Sequence, residues 1–295
     1  MYNSVNNPLY AAVGDNNVEE VCRLLDRGED PNVISWENNG RPLIIEAVIG
    51  GDAGIVKVLI DAGVDINARN VQGETALHLV CQARYFNVDI IHLLLDSGQA
   101  DLNVQENLSG NTPLHIFIKT FSSNGCNDVT VGIFKRMVDG TNINIHNHRG
   151  ETLLHRMVTS IRDCGELMEL FLNKGVDLNV VNERGETPLV CAIDKGYDST
   201  AIFLIKCGTD TKICDRYGQT ALHHAAQRNR SEVVAHLLEV GCPVNGLDVN
   251  GDTALYLAAS KGNTEVVKLL LAHPLVDEKI LNVPTIFSFD ECTSL

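Results

Sequence analysis

Histidine is the residue type in this chain whose placement first suggests chemistry, because four of its ten copies stand at the same point of a recurring phrase. In each of those copies a threonine precedes the histidine by three residues: the pairs are Thr75 and His78, Thr112 and His115, Thr152 and His155, and Thr220 and His223. Such an imidazole could act as a general base or ligate a metal. Residues three apart share one face of a helix, so the two side chains can instead bond to each other in a first helical turn. We therefore expect a structural role.

The closest approach to a metal-binding pattern is the pair His146 and His148. Zinc sites add further histidine, cysteine or carboxylate ligands at short and regular spacings. No cysteine or carboxylate stands at ligand spacing from this pair, and the nine cysteines include no C-x-x-C. The sequence therefore predicts no metal and no cofactor.

Catalytic motifs are missing from the sequence. It contains no phosphate-binding P-loop, no G-x-G-x-x-G, no G-x-S-x-G and no H-E-x-x-H. An enzyme also needs its reactive groups gathered in a site that shelters them from water. We expect that the chain is not an enzyme and that it has no catalytic residues.

The phrase that contains the histidines recurs eight times. Six copies begin at a glycine and pass through a threonine to a leucine, and weaker copies surround Leu9 and Leu43. The repeated leucine falls at positions 9, 43, 77, 114, 154, 189, 222 and 255, so neighbouring copies are 33 to 40 residues apart. A period near 33 built on T-P-L-H-x-A is the signature of ankyrin repeats. Over about residues 1–277 the chain resembles an ankyrin-repeat protein.

This resemblance implies an all-α repeat solenoid, in which each repeat is a helix-turn-helix unit and β-hairpins project as fingers beside a concave palm lined by the first helices. It also implies that the histidine of each phrase bonds the backbone of the neighbouring repeat. We expect one ankyrin-repeat domain over residues 1–277 and a C-terminal tail over residues 278–295. The expected repeats are approximately 1–32, 33–67, 68–103, 104–144, 145–179, 180–212, 213–245 and 246–277.

Residues 215–245 show how one repeat is specified. Thr220 can cap a first helix whose inner face carries Leu222 and Ala225. A second helix starts at Ser231, where valine and leucine at i, i+3 and i+4 form an apolar stripe. Gly241 then ends this helix, because glycine adopts left-handed backbone angles at little cost.

Two repeats carry extra residues between their helices. Residues 119–128 are mostly polar and include a glycine, so we expect a loop there with a new helix from Val129. The second insertion is shorter and lies around residues 160–165.

Charge and composition limit the partners and the location. The net charge of -15 and the lack of a basic run argue against nucleic acid, since phosphate binding requires lysine and arginine. No apolar stretch is long enough to insert in a membrane, and no signal-peptide pattern opens the sequence. Cysteines without a disulfide framework indicate a reducing compartment. We expect a cytoplasmic or nuclear protein whose partner carries a basic segment.

The leading functional hypothesis is a non-enzymatic interaction module or adaptor that binds a partner protein on its concave surface. By the geometry of ankyrin repeats, the partner-binding candidates on the fingers are Trp36, Arg69, Gln72, Gln105, His146, His148, Arg149, Glu183, Arg184, Arg216, Tyr217 and Asn250. Those on the first helices are Arg84, Tyr85, Asp194, Lys195, Gln227, Arg228 and Lys261. Arginine, tyrosine and tryptophan are enriched among the residues that dominate binding energy.

Two alternatives stay open: a regulatory inhibitor or a pathogen or viral effector that masks a host protein, and the targeting part of a larger assembly. The sequence does not name the partner, the organism, the pathway or the oligomeric state. A separate expectation concerns the last three residues, Thr293 to Leu295, which fit the Ser/Thr-x-apolar carboxylate that PDZ domains accept as an added strand.

The cysteine pattern generates a first prediction. All nine cysteines, at positions 22, 81, 126, 164, 191, 207, 214, 242 and 292, should be reduced in protein prepared without oxidation. Thiol labelling under native and then denaturing conditions, followed by mass spectrometry, would measure this. A stoichiometric intramolecular disulfide would contradict the reducing-compartment assignment.

Overall fold

The structure is a computed structural model that describes residues 7–35, 40–124, 127–162 and 165–276. Trp36 and the expected C-terminal tail, including the PDZ-like end, lie outside the described residues. The chain divides into two compact units, residues 1–148 and 149–295, referred to below as unit 1 and unit 2. No helix in the described ranges has both the length and the apolar character needed to cross a bilayer.

The helices of unit 1 are α1 (Pro8–Gly14), α2 (Val18–Asp26), α3 (Leu43–Gly50), α4 (Ala53–Asp61), α5 (Ala76–Val80), α6 (Val88–Asp96), α7 (Pro113–Asn124) and α8 (Asp128–Gly140). Those of unit 2 are α9 (Leu153–Ser160), α10 (Gly165–Asn173), α11 (Pro188–Lys195), α12 (Asp198–Lys206), α13 (Ala221–Gln227), α14 (Ser231–Glu239), α15 (Ala254–Ser260) and α16 (Thr264–Leu271).

Within each unit the helices pack in two layers. In unit 1 the odd-numbered helices pack successively on one another, and so do the even-numbered helices. Unit 2 repeats this, with α9, α11, α13 and α15 in one layer and α12, α14 and α16 in the other. Ala225 and Ala226 on α13 are fully buried. Their small side chains let neighbouring first helices approach closely. The predicted all-α fold of helix-turn-helix repeats is confirmed.

The threonine–histidine phrase caps the first helices as expected. Thr75 Oγ1 lies 2.8 Å from Nδ1 of His78, and the ring Nε2 donates across 3.2 Å to the carbonyl oxygen of Asn111 in the next repeat. In unit 2, the Nε2 atoms of His155 and His223 each lie 3.0 Å from a carbonyl oxygen of the following repeat. One side chain therefore closes a helix end and also ties two repeats together.

Burial keeps these imidazoles neutral. His78 is fully buried, and burial lowers its pKa to about 4 from the ordinary value of 6.5. Burial also lowers the pKa of His155 and of His223. A neutral ring can accept at Nδ1 and donate at Nε2 at the same time, which is the pattern the two bonds require.

The insertion at residues 119–128 is a correction to the sequence analysis, because most of it is helix rather than loop. Helix α7 runs to Asn124, and α8 begins at Asp128 after an Asn127 cap. The physical reason is aromatic packing: the ring of Phe121 is 6.0 Å from that of Phe117 and 5.8 Å from that of Phe134. Phe121 continues the apolar face of α7 beyond the polar residues that suggested a loop.

The fingers also differ in detail from β-hairpins. Ile34–Ser35 and Arg41–Pro42 pair as antiparallel strands, with Ile34 opposite Pro42, and they are the only strand pair in the part of the chain that the structure describes. The other described fingers are tight turns. Two residues per strand is too short for an independent ladder, so side-chain hydrogen bonds fix these turns instead.

Six cysteines fall in the described ranges, and none of these six forms a disulfide. Cys81 and Cys242 are buried. Burial raises the pKa of Cys81 and raises that of Cys242 to about 11. Both thiols therefore act as small apolar core groups rather than as nucleophiles.

The corrected α7 can be tested by removing its buried ring. Phe121→Ala should lower the free energy of unfolding by about 3–5 kcal/mol, because it removes a fully packed phenyl group. Val129→Ala is the matched control on α8, since that side chain is 51% exposed, and its effect should stay within about 0.5 kcal/mol. Urea denaturation measures both, and equal effects would contradict the packing described.

The capping histidines give a pH prediction. His78 should stay neutral in the folded protein until the pH approaches about 4, whereas the unfolded chain takes up a proton near 6.5. The folded pKa lies below the unfolded value, so stability should fall as the pH drops from 6.5 towards 4. Titration of the His78 Cε1–H resonance by NMR measures the folded value directly. A midpoint near 6.5 would show that the ring is solvated.

Candidate functional site

Each unit carries finger turns that are built by one acceptor side chain each. Asn70 Oδ1 accepts from the backbone N–H groups of Gln72 and Glu74, at 3.0 and 2.9 Å. Asp215 does the same for Tyr217 and Gln219, at 2.8 and 2.9 Å. The fingers described here are residues 70–74 and 106–111 in unit 1, and residues 182–186, 215–219 and 248–252 in unit 2.

Neighbouring finger tips are joined through their backbones. In unit 2, Arg216 N donates to Arg184 O across 3.0 Å, and Val249 N donates to Tyr217 O across 2.9 Å. A Cβ atom at Gly185 would come within 2.9 Å of the Arg216 backbone nitrogen, so this approach requires glycine. The ladder orders the tips before any partner arrives.

Arg69 and Gln105 brace the fingers of unit 1. Arg69 Nε donates to Gly73 O, and its Nη2 donates to Gln105 O, at 2.9 and 2.8 Å. Gln105 Nε2 in turn donates to the carbonyl oxygens of Gly110 and His146, at 2.7 and 2.8 Å. These two candidates hold backbone in place as well as facing the surface.

Most of the predicted partner-binding side chains are exposed: Gln72, Arg84, His146, His148, Arg149, Glu183, Arg184, Lys195, Arg216, Tyr217, Arg228, Asn250 and Lys261. Tyr85, Asp194, Gln105 and Gln227 are half-buried. The Arg84 guanidinium lies over the Tyr85 ring, 5.2 Å from its centroid, which orders both side chains.

The 106–111 finger contains an exposed apolar residue that the sequence analysis missed. Its turn is one residue longer than the 70–74 turn, and Glu106 replaces the usual Asn or Asp. Glu106 accepts from the backbone N–H groups of Leu108 and Ser109, at 2.6 and 2.8 Å. The extra residue leaves Leu108 86% exposed at the tip. In the sequence, Asn111 follows Glu106 by five positions, whereas Glu74 follows Asn70 by four. This longer spacing could have revealed the extra residue.

A cavity of about 220 Å³ opens on the palm of unit 1. Its lining residues are Arg41, Ile45, Ile49, Asn70, Gln72, Glu74, Leu79, Gln82 and Tyr85. Only Gln72 and Tyr85 of this set had been predicted. The lining comes from the first helices and fingers of successive repeats, and no short stretch of sequence reveals it.

Two carboxylates near this cavity have different partners. The carboxylate of Glu46 pairs with the Arg41 guanidinium at 2.6 Å and accepts a hydrogen bond from the Tyr10 hydroxyl at 3.0 Å. Glu74 accepts only from neutral amides, Gln82 Nε2 at 2.8 Å and Asn70 Nδ2 at 2.9 Å, and it makes no ion pair within the described residues. The charge of Glu46 is therefore balanced, whereas that of Glu74 is not.

The palm of unit 2 contains a chain of charged side chains that bond to one another. His224 lies between Asp194 and Asp215, and Arg228 Nε donates to Asp194 Oδ1 across 3.1 Å. The imidazole is 8% exposed. Among the described residues, no group of three or more histidine, cysteine, aspartate or glutamate side chains is arranged to hold a metal ion.

Comparison with known families agrees with this architecture. A model of ankyrin repeats matches three times, over residues 44–130, 123–215 and 197–280. The chain belongs to the ankyrin-repeat family.

Among the relatives, the B-cell lymphoma 3 protein homolog of Mus musculus is 30% identical over 207 residues, covering 68% of this chain and 44% of that protein. The NF-kappa-B inhibitor cactus of Drosophila melanogaster is 30% identical over 138 residues, covering 47% and 23%. The crystal structure of the ankyrin repeat domain of Bcl-3 aligns with a TM-score of 0.48 at 25% identity, covering 91% of this chain and 99% of that one. The chain spans less than half the length of these two curated relatives.

The Arg69 brace can be tested by deletion. Arg69→Ala should speed amide hydrogen exchange in residues 106–111 by about tenfold, because the finger loses its tie to the preceding turn and opens locally more often. Arg84→Ala is the control, since that guanidinium stacks on Tyr85 and forms no hydrogen bond with a finger in the described ranges. NMR measures the exchange rates. If they are unchanged in Arg69→Ala, the backbone hydrogen bonds between the fingers are enough to keep residues 106–111 ordered.

Proposed function

We propose that this chain is a non-enzymatic module that holds a partner protein along its concave fingers and palm, in the cytoplasm or nucleus. Support comes from the bonded finger tips and the braced Arg69 and Gln105 side chains, which order the surface before binding. A surface that is already ordered loses little conformational entropy on association. Membership of the ankyrin-repeat family supports the same proposal, and no cofactor or nucleic acid forms part of it.

The observation that carries the proposal furthest is the cavity with Glu74 on its wall. Ile45, Ile49 and Leu79 offer apolar surface, while Glu74 offers a negative charge that only neutral amides contact. Lysine and arginine combine an aliphatic stem with a charged head, so their side chains match both features. We therefore propose that a basic side chain of the partner enters here, in line with the net charge of -15.

A regulatory role is the favoured form of this function. One relative, the cactus protein of Drosophila melanogaster, is named an NF-kappa-B inhibitor. We propose that this chain likewise masks a segment of its partner. An effector role is the second candidate, since a related protein occurs in Fowlpox virus. A targeting part of a larger assembly is the third.

The charge of the chain should act mainly on the rate of association with the partner. The association rate should fall as salt rises, while the dissociation rate changes less, because screening weakens long-range attraction. Trp36 remains a proposed anchor, and Trp36→Ala should then raise the dissociation rate.

Binding of the C-terminal end to a PDZ domain also remains a proposal, and adding a residue after Leu295 should abolish it.

The cavity proposal can be tested without a known partner. Lysine-rich and arginine-rich peptides should shift the backbone NMR resonances of Glu74, Gln82 and Tyr85, and a glutamate-rich peptide should not. Glu74→Gln should abolish these shifts, because it removes the unbalanced charge and keeps the side-chain shape.

Glu19→Gln provides the matched control, since Glu19 is an exposed residue of α2 in the same unit and does not line the cavity. It lowers the net negative charge by the same amount. Equal loss of binding in both variants would mean that the peptides respond only to overall charge. Binding of the glutamate-rich peptide at these residues would overturn the proposed partner chemistry.

A further inference from the structure

In unit 2 a histidine stands at a position where two other repeats have a buried leucine. His224 is the fourth residue after the capping Thr220. The corresponding residues after Thr75 and Thr253 are Leu79 and Leu257, both buried. A polar ring at such a position needs partners, because an unbonded polar group in the interior is costly.

Both nitrogens of the His224 ring face carboxylate oxygens. Nδ1 lies 3.1 Å from Asp194 Oδ1, and Nε2 lies 3.2 Å from Asp215 Oδ2. An ionised carboxylate can only accept a hydrogen bond, and a neutral imidazole has a single N–H to donate. The geometry therefore requires the doubly protonated imidazolium.

Each of these carboxylates also holds a part of the binding surface. Asp215 Oδ1 accepts from the backbone N–H groups of Tyr217 and Gln219, which shapes the 215–219 finger. Asp194 Oδ1 accepts from Arg228 Nε across 3.1 Å. A continuous chain of charged hydrogen bonds thus runs from Arg228 through His224 to the finger that carries Tyr217.

The neighbouring finger supplies a comparison inside the same unit. Asp248 shapes the 248–252 finger with the same two backbone bonds. Its other oxygen, Oδ2, accepts from the neutral amide of Gln219 at 2.9 Å. Of these two fingers, only the 215–219 turn is held by a cation.

We propose that His224, as an imidazolium, is a positioning residue that fixes the 215–219 finger and Arg228 for contact with a partner. Tyr217 is 66% exposed and the Arg228 side chain is 49% exposed. Tyrosine and arginine are residue types that dominate interfaces when they are held rigidly. The inference rests on the proposed function of this surface.

The charged groups that face His224 are Asp194 from α11, Asp215 from the finger and Arg228 on its own helix; His223 beside it is kept neutral by burial. Burial alone would lower the pKa of His224, but the hydrogen bonds to the two carboxylates raise it to about 9. For Asp194 and Asp215, burial opposes ionisation, and the bonds to His224 nevertheless lower both pKa values.

These shifts fix the direction of the pH effect. The His224 pKa is higher in the folded than in the unfolded chain, so its contribution is complete below 6.5 and is lost as the pH rises through about 9. The carboxylate contributions, with lowered pKa values, are lost only as the pH falls below the ordinary aspartate value of 3.8. The 215–219 finger should therefore become less ordered as the pH rises through about 9.

The test measures amide hydrogen exchange of Tyr217 and Gln219 in the full chain. After correction for the intrinsic effect of hydroxide, wild-type exchange should rise by about tenfold or more as the pH passes through about 9. His224→Leu, which installs the leucine that the following repeat has at this position, should show the fast exchange already at neutral pH. It should also show no further step at alkaline pH.

The control is the 248–252 finger, whose Asn250 and Asp252 amides should show no such step. If His224→Leu does not fold, the wild-type pH step and the NMR titration of the His224 ring still decide the matter. A ring that titrates near 6.5, or a 215–219 finger whose protection is unchanged in a folded variant, would overturn the inference.

A binding measurement separates this inference from the proposed function. With a partner in hand, Tyr217→Ala and His224→Leu should weaken binding, and the double variant should lose less than the sum of the two. If the finger loosens as described but neither variant changes affinity, the proposed use of this surface in binding is wrong. If the finger does not loosen, the positioning role of His224 is wrong, whatever binds.

Discussion

The bond from a capping histidine to the carbonyl of the following repeat is the interaction on which the rest of each unit depends. It links the end of one first helix to the backbone where the next finger emerges, as His155 does with Glu186. The bond forms only if the ring is neutral and buried, and the packing of successive first helices provides that burial. In the repeats that carry the histidine, this contact therefore links layer packing to finger placement.

Because each repeat contacts only its neighbours, single repeats can change without disturbing the stack. Helix α7 is longer than α5 or α9, and its extra turn carries Phe121, whose ring packs against that of Phe134 on α8. The 106–111 finger gained one residue and directs Leu108 outwards. Both changes lie at the ends of helices or turns, where an added residue leaves the layers intact.

The electrostatics of the concave side are local rather than a reflection of the net charge. Glu46 is paired with Arg41, and Asp215 is paired with His224, so neither presents its full charge to solvent. Glu74, in contrast, is held by two amides and keeps its charge. Unit 1 therefore holds a cavity with Glu74 on its wall, and unit 2 exposes Tyr217 and Arg228 beside the chain of charged hydrogen bonds.

The sequence by itself determined the repeat period, because the recurring phrase displays it directly. It also determined the threonine caps and their histidine partners, because each pair stands only three positions apart. It failed at residues 119–124, where polar residues hid the i, i+3 relation of Ile118 and Phe121. Only the tertiary structure decided that Arg69 is a brace, that Glu74 accepts from two neutral amides and that His224 has two carboxylates. His224 and Asp194 are 30 residues apart, and such contacts form only when neighbouring repeats stack.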